Sequence, residues 1–249
     1  MSNKLPENAI DRLFLSSDQD LHPFKFNQSV VDVFPDMINR SVPGYQTIVD
    51  GIGRISQRFL SAGSSVYDLG SSLGNVSLTI AKHNMGKSVC IYAIDNSIAM
   101  VERCRQHVGA YNYDALIDVQ QGDITKLSLR PCDMVVINFT LQFIEPAQRQ
   151  SLINKVFSAL NPGGVLVVSE KISVEGQIMD ELLIDLHHEF KRDNGYSDLE
   201  ISQKRSALEK VMILDSFETH KKRLLAAGFS DISVWFQHFN FLSFCAVKS

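Results

Sequence analysis

The sequence predicts a doubly wound α/β sandwich, a mostly parallel sheet that ends in a C-terminal antiparallel hairpin and is interrupted by a helical insertion. Three observations predict it. Between residues 65 and 170, short β-branched runs alternate with amphipathic segments. The runs are apolar without strict alternation, as expected of strands covered on both faces. The first run passes straight into a small-residue turn, Gly70-Ser71-Ser72-Leu73-Gly74, that opens a helix.

The 249 residues are 45% hydrophobic, enough for one domain over 1–249, with an arm and helices over 1–62 and the insertion over 172–215. The net charge of -4 argues against a surface built to hold a long nucleic acid, so no direct nucleic-acid partner is expected. Cys90, Cys104, Cys132 and Cys245 form no C-x-x-C pair, which indicates neither a zinc site nor a redox dithiol, and no metal is expected. The start, Met-Ser-Asn-Lys-Leu-Pro, carries no apolar leader and no stretch has membrane-spanning length; the expectation is a cytoplasmic protein without membrane contact.

Residues 1–28 are polar with scattered aromatics, Phe14, Phe24 and Phe26, and read as an irregular arm that packs loosely or waits for a ligand. Ser29 is the expected N-cap of a short helix over 30–34 that Pro35 stops. Ser41-Val42-Pro43-Gly44 is a turn. Ile48, Ile52, Ile55 and Phe59 recur at helical spacing, so 45–60 is an amphipathic helix. Strand one is 65–69 and its helix 75–83; strand two is 89–94, followed by Asp95-Asn96 and a helix over 97–108 capped by Ser97. Strand three, 117–121, leads to Gly122-Asp123-Ile124, and strand four, 133–138, ends in Asn138. Helix 146–160 carries Pro146 in its first turn, where a missing N–H costs little. Asn161-Pro162-Gly163-Gly164 is a turn before strand five, 164–170. The charge-rich helices 175–194 and 199–211, separated by Gly195-Tyr196-Ser197, break the alternation and form the insertion. Helix 216–227 is closed by Gly228. Strands 231–238 and 239–247 are joined so tightly that they must be antiparallel.

Ligands of such sheets bind beyond the carboxyl ends of the strands. Here those ends carry Asp68, Gly70, Ser71, Ser72, Asp95, Asn96, Asp123 and Asn138. The turn should present bare backbone N–H groups beside a helix N-terminus. Its Gly-x-x-x-Gly spacing, with Ser72 in place of a middle glycine, is not the dinucleotide fingerprint, and no Gly-Lys-Ser/Thr follows to make a P-loop. Asp95 suits the two hydroxyls of an adenosine ribose, although taken alone it reads better as a helix cap or solvated turn carboxylate, an order that its company with the glycine turn and Asp123 reverses. Asp123 with Ile124 offers an acceptor and an apolar shelf to an adenine. The set indicates a nucleoside-type ligand, and the looser turn suits the aminocarboxylate of S-adenosylmethionine (SAM) better than a pyrophosphate.

A more specific resemblance is carried by Phe26-Asn27-Gln28-Ser29-Val30, Arg40-Ser41-Val42-Pro43-Gly44-Tyr45, Tyr67-Asp68-Leu69-Gly70-Ser71-Ser72-Leu73-Gly74 and Asn138-Phe139-Thr140-Leu141-Gln142-Phe143. Glu181-Leu182-Leu183-Ile184-Asp185-Leu186-His187-His188 and Glu200-Ile201-Ser202-Gln203-Lys204-Arg205-Ser206 extend it. Together they resemble the bacterial carboxy-S-adenosyl-L-methionine synthases of the SAM-dependent methyltransferase superfamily, in register over nearly the whole chain. Ser71 stands where a Cys is expected, which should not matter to binding by the backbone. The resemblance implies a Rossmann-like methyltransferase fold and a transferase that turns SAM and prephenate into carboxy-SAM and phenylpyruvate. A sulfonium ylide captures carbon dioxide, and the product serves a carboxymethyltransferase acting on the tRNA wobble uridine. It implies SAM as substrate, carboxy-SAM as bound product, and contacts from Tyr45, Gly70, Ser71, Ser72, Asp95, Asn96, Asp123, Ile124, Asn138 and Arg205. It also implies a homodimer with the insertion as dimer element, Arg205 serving its own or the neighbouring site.

Arg205 separates this reading from a conventional methyltransferase or a non-catalytic SAM-binding subunit. A guanidinium about 4 Å from a sulfonium costs on the order of 4 kcal/mol at an effective dielectric near 20. A site for plain SAM has no reason to accept that, whereas a carboxylate between the two cations removes the conflict. By spacing alone Arg205 reads as a solvated charge; the resemblance gives it its catalytic role of pairing with the carboxylate. His187 and His188, adjacent on a helix, cannot face one ion and read as surface or interface residues. Trp235, Phe236, Phe239, Phe241 and Phe244 read as alternating strand core.

Overall fold

The computed structural model describes residues 10–13, 26–208 and 211–249; Phe14, Phe24 and most of the expected arm lie outside the described residues. Seven strands, β1 (Ser65–Leu69), β2 (Cys90–Asp95), β3 (Leu116–Gln121), β4 (Cys132–Asn138), β5 (Leu160–Lys171), β6 (Asp231–His238) and β7 (Phe241–Val247), form one sheet in the order β3-β2-β1-β4-β5-β7-β6. β1 to β5 pair in parallel, and β7 is antiparallel to both β5 and β6.

The two faces of the sheet explain the strands' unbroken hydrophobicity. Val66, Met134, Val136, Val165 and Val167 pack with Ile48 and Ile52 of α2 (Tyr45–Phe59) and Ile80 of α3 (Asn75–His83). Their neighbours Tyr67, Leu69, Val135, Ile137, Leu166 and Val168 pack with α5 (Pro146–Ala159) and α8 (Phe217–Ala227) through Leu152, Ile153, Val156 and Leu224. Side chains alternate at period two, and both sets are apolar because both faces are covered. α4 (Ile98–Gly109), capped by Ser97 as expected, covers β2 and β3 through Val101 and Cys104. β1 lies between β2 and β4, so the winding reverses there and a crevice opens at the carboxyl ends of these strands.

Three local expectations need correction. The first helix, α1 (Gln28–Ser41), is capped by Asn27 rather than Ser29 and runs through Pro35. An interior proline costs about 3 kcal/mol. The helix outweighs that by burying Val30, Val31, Val33, Phe34 and Met37, each worth roughly 1.5–3 kcal/mol. Second, the Asn161-Pro162-Gly163-Gly164 turn lies inside β5: Cys132 pairs with Leu160 and Met134 with Val165, so 161–164 loop out of the ladder. Third, the aromatic alternation fails in β6, because Val234 pairs with Phe244 and Phe236 with Ser243, leaving Trp235 as a bulge. Trp235 and Phe236 therefore both pack against α2, at Gly51 and at Gly44 just before it, where a Cβ would lie 2.4 and 2.3 Å from their rings. The insertion forms as expected, as α6 (Gln177–Asp193) and α7 (Asp198–Leu208). Among the described residues no helix is long and apolar enough to cross a membrane.

Candidate functional site

The carboxyl ends of the central strands, with α1, the starts of α2 and α3, and the insertion helices, enclose a cavity of about 520 Å³, within the usual range for small-molecule sites. Every site residue named from the sequence lines it: Tyr45, Gly70, Ser71, Ser72, Asp95, Asn96, Asp123, Ile124, Asn138 and Arg205.

The glycine turn does not present bare amides. Gly70 and Ser71 both donate to Ile94 O, at 2.8 and 2.9 Å, and Ser72 N donates to Asp95 Oδ2 at 2.9 Å. These bonds brace the turn against β2, so its contribution to a ligand is close approach rather than donors. The uncommitted end is the start of α3: its N-cap, Gly74, offers no side-chain acceptor, and Asn75 and Val76 line the cavity. Gly70 has φ +87°, and a Cβ there would meet Thr140 Oγ1 at 2.2 Å. The Thr140 loop is drawn in by Glu170, whose buried carboxylate accepts the N–H groups of Thr140, Leu141 and Gln142 and so organises a 3₁₀ turn over Leu141–Phe143. Burial pushes the Glu170 carboxyl up to about 8, against the pull of those three donors.

Asp95 unites its two sequence readings. Oδ2 accepts from Ser72 N and Oδ1 from Ser97 N, both at 2.9 Å. Each carboxylate oxygen has a second lone pair for a ligand hydroxyl. Burial raises its pKa. Asp68 lies behind the turn, held by Ser77 Oγ at 2.6 Å and pushed by burial up to about 6, and it serves the fold rather than the cavity. Asp123 is exposed on the rim, its Oδ1 taken by Thr125 and its Oδ2 3.0 Å from Lys126, while Ile124 beside it is buried. Asn96 is exposed, and its backbone oxygen accepts from Gln121 Nε2 at 3.4 Å. Tyr45 is buried with its hydroxyl 3.4 Å from Asn75 Nδ2, and burial pushes it up to about 12.

Ser71 Oγ, Asn138 Oδ1 and Asn240 Oδ1 are buried and lack hydrogen-bond partners among the described residues, and all three residues line the cavity. An unsatisfied buried polar atom costs about 1–3 kcal/mol, which a ligand rich in N–H and O–H groups relieves. SAM, with its aminocarboxylate and ribose, fits that donor set.

The opposite wall is cationic. Lys171 at the end of β5, Lys191 on α6 and Arg205 on α7 line the cavity with His187 and His188. His187 is buried rather than at the surface; its Nε2 meets Ser41 O at 2.8 Å, and burial drives its pKa down to about 2. Lys204 is also buried, paired with Asp11 Oδ2 at 3.2 Å and with Ser41 Oγ at 2.8 Å. Tyr196 donates to the same carboxylate, and the Arg40 guanidinium sits 3.9 Å from the centre of its ring. This buried cluster fixes α7, and with it Arg205, against α1. Sequence reasoning passed over Lys171, Lys191 and Asn240, and it read His187 as a surface or interface residue. One signal was available: His187, His188 and Lys191 are spaced i, i+4 and i, i+3 on one helix face.

A family model described as a methyltransferase domain matches residues 66–164. The carboxy-S-adenosyl-L-methionine synthase of Colwellia psychrerythraea is 52% identical, over 97% of this chain and 99% of its own. That of Photorhabdus laumondii is 50% identical, over 100% of this chain and 98% of its own. Among solved structures, an O-methyltransferase family protein from Burkholderia thailandensis superposes with a TM-score of 0.63 at 13% identity, covering 93% of this chain and 65% of that one. Human N-acetylserotonin methyltransferase in complex with SAM gives 0.58 at 17% identity, covering 89% and 55%. These last likenesses carry the Rossmann-like methyltransferase fold.

Proposed function

The chain belongs to the carboxy-S-adenosyl-L-methionine synthase family, and from that premise we propose that this enzyme converts SAM and prephenate to carboxy-SAM, phenylpyruvate and water. Prephenate loses its ring carboxylate as carbon dioxide, and its hydroxyl departs with the electron pair as the ring aromatises. The hydroxide takes a proton from the SAM methyl, which the adjacent sulfonium acidifies, and becomes water. The carbon lone pair of the ylide then bonds to carbon dioxide. Atoms and charge balance without an oxidant, a reductant or a protein base.

The residues fall into roles along the cavity. Asp95 receives the ribose hydroxyls, Ile124 and Asp123 receive the adenine, and Tyr45, Ser71 and Asn138 receive the methionyl end beside the Gly70–Ser72 turn. Arg205 pairs with the new carboxylate, which offsets its repulsion from the sulfonium. The observation that carries the reading is that Arg205, delivered by the insertion, lines the same cavity as the strand-end residues. The chain is further proposed to act as a cytoplasmic homodimer, supported by exposed Ile178, Met179 and Leu182 on α6 and Leu199 on α7. Its product passes to a tRNA-modifying carboxymethyltransferase.

The test is mass spectrometry of nucleoside released after incubation with SAM and prephenate. A species heavier than SAM by one carboxyl group, formed with equimolar phenylpyruvate, supports the proposal. Unchanged SAM, or S-adenosylhomocysteine, overturns it.

A further inference from the structure

One new carboxylate requires one cation, yet four line the cavity: Lys171, Lys191, Lys204 and Arg205. Lys191 is the most unusual of them. It is 6% exposed, lines the cavity, and among the described residues its ammonium forms no hydrogen bond and no ion pair. Among the described residues, the charged groups that face it are Lys171 from β5 and Lys204 and Arg205 from α7, all cations. The cavity's carboxylates are engaged elsewhere: Asp95 with the amides of Ser72 and Ser97, Asp123 with Lys126, and Asp180 with the Val174 N–H. The buried cations Arg149 and Lys204, by contrast, have carboxylate partners in Asp215 and Asp11. Burying an ammonium among like charges is a standing cost to the fold. An anion brought in by a ligand would remove that cost.

The surroundings also specify what the anion is attached to. The Phe241 ring centre lies 5.8 Å from Lys171 Nζ, 4.8 Å from the His187 ring and 6.1 Å from the Phe139 ring. Phe139 and Phe241 both line the cavity. The cationic pole therefore adjoins an aromatic wall suited to a six-membered ring.

Building on the proposed prephenate reading, we infer that Lys191, with Lys171 beside it, binds the oxoacid carboxylate that the co-substrate keeps, while Arg205 takes the carboxylate that is transferred. The site thus selects a dianionic co-substrate and retains one cationic pole for the monoanionic product.

Phenylpyruvate, which carries only the retained carboxylate, is the probe, and calorimetry with it needs no turnover. Lys191→Met should weaken phenylpyruvate binding and raise the KM for prephenate, each by roughly 10–100-fold, the loss of a charge-assisted contact. SAM affinity and retention of carboxy-SAM should be unchanged, and Lys191→Arg should recover part of the binding. The Tm of the unliganded Lys191→Met protein should rise, because the variant removes an unpaired buried charge; a residue needed only for the fold would lower it. Arg205→Ala should give the converse pattern, losing carboxy-SAM and keeping phenylpyruvate. Phenylpyruvate binding within twofold of wild type in Lys191→Met, or a parallel loss of SAM affinity, overturns the inference, as does a wild-type protein that does not bind phenylpyruvate. A wild-type protein that binds phenylpyruvate but does not consume prephenate overturns the proposed reaction instead.

Discussion

Replacing Asp95 with Asn tests whether this carboxylate is a ligand acceptor as well as a brace. In the wild type its oxygens each accept one backbone N–H at 2.9 Å, from Ser97 and Ser72. An Asn keeps one oxygen and turns an NH₂ towards the other N–H. One amide is left unpaired, which costs about 1–3 kcal/mol of stability. On the ligand side, one ribose hydroxyl loses a charged acceptor, worth about 1.5–3 kcal/mol, so the Kd for SAM should rise roughly 10–150-fold. Ser216→Ala supplies the control. It removes the α8 N-cap, in which Ser216 Oγ accepts from Thr219 N; Ser216 does not itself line the cavity, and the change should cost about 1 kcal/mol of stability. The assay is calorimetric titration of SAM into both variants, with thermal melts alongside. If Asp95→Asn lowers Tm as Ser216→Ala does yet binds SAM within threefold of wild type, Asp95 only braces the turn and the ribose assignment fails.

Gly70→Ala should abolish SAM binding in calorimetry while far-UV dichroism shows the fold retained, because φ is +87° and the new Cβ would stand 2.2 Å from Thr140 Oγ1; wild-type affinity would show that the turn can relax without consequence. Phenylpyruvate binding should weaken about tenfold between pH 6 and 8, because burial and the facing cations Lys171, Lys204 and Arg205 bring Lys191 down to about 7 and its proton, hence its hold on a carboxylate, is lost as pH rises through that value. His187 and His188 on the same helix, both shifted below 6.5, stay largely neutral across that range, and a pH-independent affinity would exclude Lys191 as the titrating group. The same shift makes the unfolded chain bind more protons between about 7 and 10.5, so the stability contribution of Lys191 should grow with pH over that window in thermal melts of wild type against Lys191→Met. Ile178, 81% exposed on α6, should lie in the dimer face, so Ile178→Glu should halve the molar mass in light scattering; a monomeric wild type would remove that assignment.

The sequence by itself determined the alternation of strands and helices, the ends of most elements and the strand-end half of the site. These are local properties. A β-branched run flanked by small residues, a cap such as Ser97, and a carboxylate placed after a strand can each be read within a few residues. Tertiary structure decided the rest, where distant segments compete. Pro35 remains inside α1 because five buried side chains outweigh one lost hydrogen bond. The amides of Gly70 and Ser71 are taken by Ile94 O, a partner on another strand. Trp235 leaves the strand alternation because α2 provides Gly51 to receive its ring. The cationic wall exists only because β5, α6 and α7 bring Lys171, Lys191 and Arg205 to one cavity. Along the chain these three are ordinary surface charges, and only packing between distant segments, which buries Lys191 and sets Lys171 and Arg205 near it, turns them into a site for anions.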